Sequence, residues 1–180
     1  MELDSKFEKP FRFCPICGSP SFVENNIKSM RCLDCGFVYY VNPSAAVAAF
    51  VRNERGDLLV CIRGKEPAKG TYDLPGGFVD YRESASDAVR RELEEELGVP
   101  VTDDKYLFSI PNRYEYSGIV IPTLDLFFEC RLADNSAIIA SDDVADCLFI
   151  PVSELNPADF GLESIQAAIE RFLTEGIGLL

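Results

Sequence analysis

The chain has no histidine among its 180 residues. That excludes Ser-His-Asp and Cys-His catalysis in their usual forms, and with them the zinc hydrolase sites built on imidazole ligands. Proton transfer then falls to Glu, Asp, Lys, Tyr or water activated by a metal. Tryptophan is absent as well. No run of 18 or more apolar residues occurs, so no membrane-spanning helix is expected. The first residues, MELDSKFEKPF, lack the apolar stretch of a secretory signal, so the expected compartment is cytoplasmic. The first ten residues show mixed charge and no periodicity and are expected to be frayed. Positive charge is scarce: 17 Lys and Arg stand against 30 Asp and Glu, a net charge of −13. That balance opposes loose binding to a nucleic-acid backbone, where cationic surface supplies most of the attraction.

An apolar fraction of 47% is enough for a buried core. The length suits one ordinary domain plus a small module. Two CxxC pairs stand near the start, Cys14-Pro-Ile-Cys17 and Cys32-Leu-Asp-Cys35, each followed by glycine. Their spacing suits a tetrahedral Cys₄ zinc site, with two disulfides as the alternative. Short strands are expected at Phe22–Glu24 and Lys28–Arg31 around Asn25-Asn26. So small a sheet buries little surface, and a metal would supply much of its folding energy. A catalytic zinc is not expected, because four thiolates leave no open position. The remaining cysteines, Cys61, Cys130 and Cys147, sit in apolar runs and read as small buried hydrophobes.

Asn42-Pro43 marks the expected boundary, giving residues 1–41 as tail and ribbon and 42–180 as the main domain. Ala45–Arg52 and Asp57–Arg63 read as strands joined in a hairpin through Asn53-Glu54-Arg55-Gly56. Gly64–Gly70 is a polar loop, and Tyr72–Leu74 and Phe78–Asp80 are brief strands flanking Pro75-Gly76-Gly77. Ser84–Leu97 reads as a helix. Its signals are Ser84 with Asp87 as a variant capping box, Gly98 as its stop, and a buried stripe of Ala85, Val89, Leu93 and Leu97. Further strands are expected at Tyr106–Ile110, Thr123–Leu132 and Cys147–Ile150, with Asn112–Gly118 as a loop. A final amphipathic helix covers Leu162–Leu173, with Leu162, Ile165, Ile169 and Phe172 inward. Strands and helices mixed without strict alternation point to an α+β fold built on a mixed sheet.

The stretch from Gly77 to Val99, GFVDYRESASDAVRRELEEELGV, carries the chemistry. Glu92, Glu95 and Glu96 lie at helical i, i+3 and i+4 spacing on one face. Crowded carboxylates repel one another, and hard divalent cations such as Mg²⁺ or Mn²⁺ turn that repulsion into binding. Carboxylates also repel phosphate until cations sit between them, so an acidic site for a phosphate compound implies such a metal. Arg91 is placed to pair with Glu83 and lock the loop onto the helix. Gly76 and Gly77 allow close backbone approach, and a carbonyl there is a further candidate ligand. The competing reading is the solvated face of a charged helix, and for Glu94 it is the preferred one.

Gly77, Glu83, Arg91, Glu92, Glu95, Glu96 and Gly98, with aliphatic Leu93 and Val99, match every position of the Nudix box. Leu74-Pro75-Gly76-Gly77 is similar to the family's preceding LPGG. The chain thus resembles the Nudix hydrolases over roughly residues 42–180. The resemblance implies an α/β/α sandwich around a mixed sheet and hydrolysis of a nucleoside diphosphate linked to another moiety. It implies that Glu92, Glu95 and Glu96, with Gly77, bind the divalent cation, and that Glu83 and Arg91 brace the loop. Glu95 is the first choice for proton acceptor, with Asp142, Asp143, Asp146 and Glu115 as later candidates. The Cys₄ ribbon before such a domain is similar to that of the NADH pyrophosphatases. Their SQPWPFP-type signature is not matched, the corresponding segment being SIPNRYEYSG. Many family members are dimers by resemblance. Arg63, with Lys65 and Lys69, is a candidate phosphate contact, and Tyr72, Tyr114 and Tyr116 are candidates to stack on a base. The alternative function is a nucleotide-sensing module whose ribbon binds a protein or nucleic acid.

Overall fold

The computed structural model describes residues 11–116 and 118–176. The backbone groups into two compact units. One holds the described residues up to Pro43 together with Tyr114–Pro122, and the other holds Ser44–Arg113 and the described residues from Thr123 onward.

In the first unit, β1 (Phe22–Asn26), β2 (Ser29–Cys32) and β3 (Val38–Tyr40) form an antiparallel sheet in that order. The second strand starts one residue later than Lys28, since the turn extends through that residue. Its core is small: Cys14, Phe22, Met30 and Cys32, flanked by Phe11, Phe37 and Tyr39. Phe22 and Phe37 stack with centroids 6.5 Å apart. Ile16 and Leu33 remain exposed, so apolar burial alone gives this sheet little support.

The second unit begins with β4 (Ser44–Val51), whose run SAAVAAFV reads as a strand covered on both faces. It pairs in parallel with β8 (Ile119–Leu132), beside which lies β7 (Val101–Tyr116). A second sheet has the order β6-β5-β9, from Tyr72–Asp73, Leu58–Arg63 and Val144–Ile150, all antiparallel. The expected hairpin between β4 and β5 is therefore not formed. The two strands lie in different sheets, linked by an isolated bridge between Arg52 and Leu58. The reason is competition for the β4 edge, which hydrogen-bonds to the glycine loop: Val47 N–H donates to Gly77 O and Ala49 N–H to Pro75 O, at 2.8 and 2.9 Å.

Alternation along β4 builds a three-layer arrangement within this unit. Val47, Ala49 and Val51 face a core completed by Ala88, Val89, Leu93 and Leu97 of α1 (Ala85–Leu97). Ala48 and Phe50 face a second core with Phe127 and with Ile165, Ala168, Ile169 and Phe172 of α2 (Glu163–Glu175). This is the α/β/α sandwich around mixed strands that the resemblance implies. Among the described residues no helix is long and apolar enough to cross a membrane.

Several expected boundaries move. The first helix starts after Ser84, whose hydroxyl accepts from Asp87 N–H at 3.2 Å. The Asp87 carboxylate takes the Ser84 hydroxyl at 2.6 Å, so the reciprocal bond of a capping box is made to the side chain, not to the Ser84 N–H. Ala88 and Glu96 join the buried face, while Ala85 is only partly buried. The expected loop at Asn112–Gly118 is mostly strand, since β7 continues to Tyr116 and β8 starts at Ile119. A cross-strand bond from Asn112 to Asp125 at 2.9 Å helps hold the two strands together. Leu162 caps α2 from outside, and the helix runs past Leu173 to Glu175.

Leu93 is fully buried between α1 and β4. Leu93→Ala should destabilise the second unit by roughly 2–5 kcal/mol, through lost transfer energy and the cavity left behind. Urea titration should show a lower midpoint at unchanged slope.

Candidate active site and cysteine cluster

Two glycines admit the loop between β4 and α1. Gly76 has φ of 146°, and a Cβ there would lie 2.1 Å from the Val47 carbonyl oxygen. A Cβ on Gly77 would lie 2.5–2.7 Å from the Glu92 carboxylate. With both side chains absent, the backbone touches strand and helix at once. Gly76 N–H donates to Glu96 Oε2 at 2.9 Å. The Gly77 carbonyl, a candidate ligand, accepts from Val47 N–H and keeps its second lone pair.

Arg91 ties this loop to the helix. Its Nε and Nη2 bind the two oxygens of Glu83 at 2.9 and 3.0 Å, a forked pair. Nη2 also donates to the Phe78 carbonyl at 3.0 Å, and Nη1 bridges Glu92 and Glu95 at 2.9 and 3.0 Å. Glu83 takes a further bond from Asp80 N–H at 3.0 Å. Arg91 beside it holds the Glu83 carboxyl below its ordinary range, and the same pairing raises Arg91 further. Burial pushes Glu92 up. Glu96, only 6% exposed, is pushed up to about 9 by burial, with Glu92 and Asp73 nearby adding to the effect.

A buried carboxylate in an acidic neighbourhood ionises readily only when a cation stands beside it. Glu92, Glu96 and the Gly77 carbonyl present hard oxygen donors around one loop, and Glu95 is exposed on the same helix face. The donor set therefore fits Mg²⁺ or Mn²⁺ better than a soft metal. Arg91 supplies positive charge to two of these carboxylates, Glu92 and Glu95, and to Glu83.

A segment beyond the box supports the end of the helix. Ser141 N–H donates to Glu96 O at 2.9 Å, and its hydroxyl to Glu95 O. Ile139 N–H donates to Leu97 O at 3.0 Å. These bonds satisfy carbonyls that a helix terminus leaves open. Nothing local in the sequence marks Ser141 for this role, because its partners lie more than forty residues away. The same segment carries Asp142 and Asp143, both exposed and both paired with Lys65. Asp146 is exposed and accepts from Cys147 N–H at 2.8 Å, and Glu115 is an exposed residue of the other unit.

The candidate substrate contacts are dispersed. Arg63 is paired with Asp73 and donates to the Pro67 carbonyl at 2.7 Å. Tyr72 packs edge-on against Phe160 with centroids 5.9 Å apart. Both interactions serve the β5–β6 edge. Tyr114 is half-buried in the first unit, and the Tyr116 side chain lies outside the described residues.

In the ribbon, the sulfurs of Cys14, Cys17, Cys32 and Cys35 all lie within 4.8 Å of one another. Cys14 and Cys35 are 3.7 Å apart, Cys17 and Cys32 3.6 Å. A tetrahedral ion with sulfur ligands at about 2.3 Å sets the sulfurs about 3.8 Å apart, close to this spacing. All four thiols are free, so the disulfide alternative is not realised. A backbone N–H from Cys35 helps pull Cys32 down to about 6.

A glycine loop on a strand edge, an Arg–Glu clamp and three glutamates on one helix thus come together in one acidic candidate site. The NUDIX domain family model matches residues 42–172, and the chain belongs to the Nudix family. It is similar to the NAD-capped RNA hydrolase NudC of Stutzerimonas stutzeri (strain A1501), 30% identical over 168 residues, covering 93% of this chain and 58% of that protein. The NudC of Deinococcus radiodurans is 28% identical over 151 residues, covering 83% of this chain and 52% of the relative. The chain thus spans little more than half the length of these relatives. Among solved structures, a NUDIX hydrolase from Nitrosomonas europaea superposes with a TM-score of 0.70 at 21% identity, covering 92% of each chain. The NUDIX domain of Shewanella oneidensis NrtR, complexed with ADP ribose, gives 0.58 at 22% identity over 72% of this chain and 86% of that one. At such identities the likeness is one of fold.

The two glycines should respond differently to alanine. Gly76→Ala meets β4 backbone and should cost several kcal/mol, seen as a lower midpoint in urea. Gly77→Ala meets the flexible end of Glu92 and should leave stability nearly unchanged while weakening Mn²⁺ binding, measured by isothermal titration.

Proposed function

We propose that this chain is a Mg²⁺- or Mn²⁺-dependent pyrophosphohydrolase. It cleaves the phosphoanhydride of a nucleoside diphosphate joined to a second moiety, of dinucleotide or nucleotide-sugar type such as NADH or ADP-ribose. The observation that carries this reading is the placement of Glu92 and Glu96 against the Gly76-Gly77 backbone, with Glu83 and Arg91 clamping the loop. Glu92, Glu95, Glu96 and the Gly77 carbonyl would hold the divalent cation, which when bound would supply neutralisation of pyrophosphate charge and a lowered pKa for the attacking water. Glu95, the most accessible of the three glutamates, accepts the proton. Arg91 and Glu83 set the angle at which the carboxylates face the substrate, and burial of Glu96 keeps competing water from its carboxyl. The names of the NudC relatives support the dinucleotide class. The acidic surface favours a small-molecule substrate over a nucleic acid, and the cytoplasm is the proposed compartment. The cysteine quartet holds a structural Zn²⁺, supported by its sulfur spacing.

Incubation with NADH, ADP-ribose, FAD and nucleotide sugars, with Mg²⁺ or Mn²⁺, should release a nucleoside monophosphate from at least one. Glu95→Gln and Glu96→Gln should each lower turnover by about 10²–10⁴-fold, the range expected for loss of an acid–base or charge-bearing group. Unchanged turnover in both variants would refute the site assignment. Tight ADP-ribose binding with no hydrolysis of any compound would favour a nucleotide sensor instead.

Metal analysis of the purified protein should find one zinc per chain. Cys14→Ser or Cys32→Ser should abolish it and expose residues 11–43 to limited proteolysis, with the second unit still folded. Zinc retained by both variants would overturn the assignment.

A further inference from the structure

Cys61 on β5 lies directly opposite Cys147 on β9 in the antiparallel register, and their sulfurs are 3.4 Å apart. Neither belongs to the ribbon quartet, and neither has a part in the hydrolysis. Cys61 is 1% exposed, while Cys147 is only half-buried, so Cys147 is the more accessible thiol of the pair. Opposed residues in an antiparallel pair hold their Cβ atoms about 4.5–5.5 Å apart, and a disulfide needs about 3.5–4.5 Å. A small approach of the two strands therefore closes the bond.

We propose that Cys61 and Cys147 are a modification site, forming a reversible intramolecular disulfide when the protein meets a hydroperoxide. Cys147 reacts first, as the more accessible thiol. Its thiolate sulfur attacks the O–O bond, becomes a sulfenic acid, and releases an alkoxide that takes up a proton as the alcohol. The Cys61 sulfur then attacks the Cys147 sulfur, gives up its proton, and displaces hydroxide, which departs as water. Two thiols are oxidised to one disulfide, and one hydroperoxide is reduced to an alcohol and water. The hydrogen bond between the thiols favours this order, because it holds Cys147 below its ordinary value against the effect of burial. Cys61, pushed well up by the same bond and by burial, stays protonated until it resolves the sulfenic acid.

The cross-link would join strands whose cysteines are 86 residues apart in sequence, so it constrains a long loop of the unfolded chain. It also pins the middle of β9, a strand that begins three residues after Ser141, whose bonds support Glu95 and Glu96.

The zinc-loaded protein is treated with tert-butyl hydroperoxide, its free thiols are alkylated under denaturing conditions, and it is digested without reductant. Mass spectrometry should find a peptide pair linked through Cys61 and Cys147 that separates on adding dithiothreitol. The linked pair should be absent from Cys147→Ser and from Cys61→Ala, each checked for native circular dichroism. Oxidised wild-type protein should melt several degrees above the reduced form, and Cys147→Ser should lack that rise. Recovery of Cys61 and Cys147 as alkylated thiols while the quartet is oxidised would overturn the proposal. So would Cys147 trapped as sulfinic acid, or a link formed through Cys130, whose thiol burial pushes up to about 12.

Discussion

Glu96 lies on the buried side of α1, in line with Val89, Leu93 and Leu97, and its carboxylate meets the Gly76 N–H where a surface glutamate would meet water. Burying an acid there demands a backbone donor at hydrogen-bond distance and no side chain in the way. Gly76 satisfies both requirements, with its φ of 146° and its contact with the Val47 carbonyl. To hold that contact the loop takes the edge of β4, and β5 is sent to another sheet. The separation of β4 from β5 thus goes together with holding this loop against a buried carboxylate.

The last turn of α1 carries Glu94, Glu95 and Glu96 and no basic residue. Negative charge at a helix C-terminus opposes the macrodipole, so this end of the helix is electrostatically unfavourable by itself. Arg91 offsets part of that through Glu92 and Glu95, and the Ser141 segment caps the exposed carbonyls. A stable surface helix would place lysine or arginine here. The choice of carboxylates puts a local rule at odds with stability, a pattern expected where residues serve binding or chemistry. The ribbon shows a related dependence: its apolar cluster is small, and four thiols stand at the spacing an ion would set.

The helix was legible because its signals are local. Ser84, the four-residue stripe and Gly98 each act within one or two turns, and the observed helix fits them to within a residue. The cysteine quartet and the Glu83–Arg91 clamp were legible through fixed spacing. The hairpin between β4 and β5 was misread because a turn sequence such as Asn53-Glu54-Arg55-Gly56 reports chain reversal, not strand pairing. The loop expected at Asn112–Gly118 differs for a similar reason: Asn112–Tyr116 continue β7, held by cross-strand contacts such as Asn112 with Asp125. The sequence-based roles of Arg63 and Tyr72 rested on residue type alone, and both side chains find partners along the β5–β6 edge.

What the sequence by itself determined is the residue content of the candidate site: the carboxylates, arginine and glycines of one stretch, and four cysteines in two pairs. Those are matters of residue type and of spacing within single elements, where helical geometry converts sequence separation directly into distance. What only the tertiary structure decided is which distant groups meet. Ser141 reaches the end of α1, Gly76 reaches Val47, and Cys61 faces Cys147 across a register that no local signal encodes. Strand pairing depends on competition among all available edges, and that competition is resolved only when the whole unit packs.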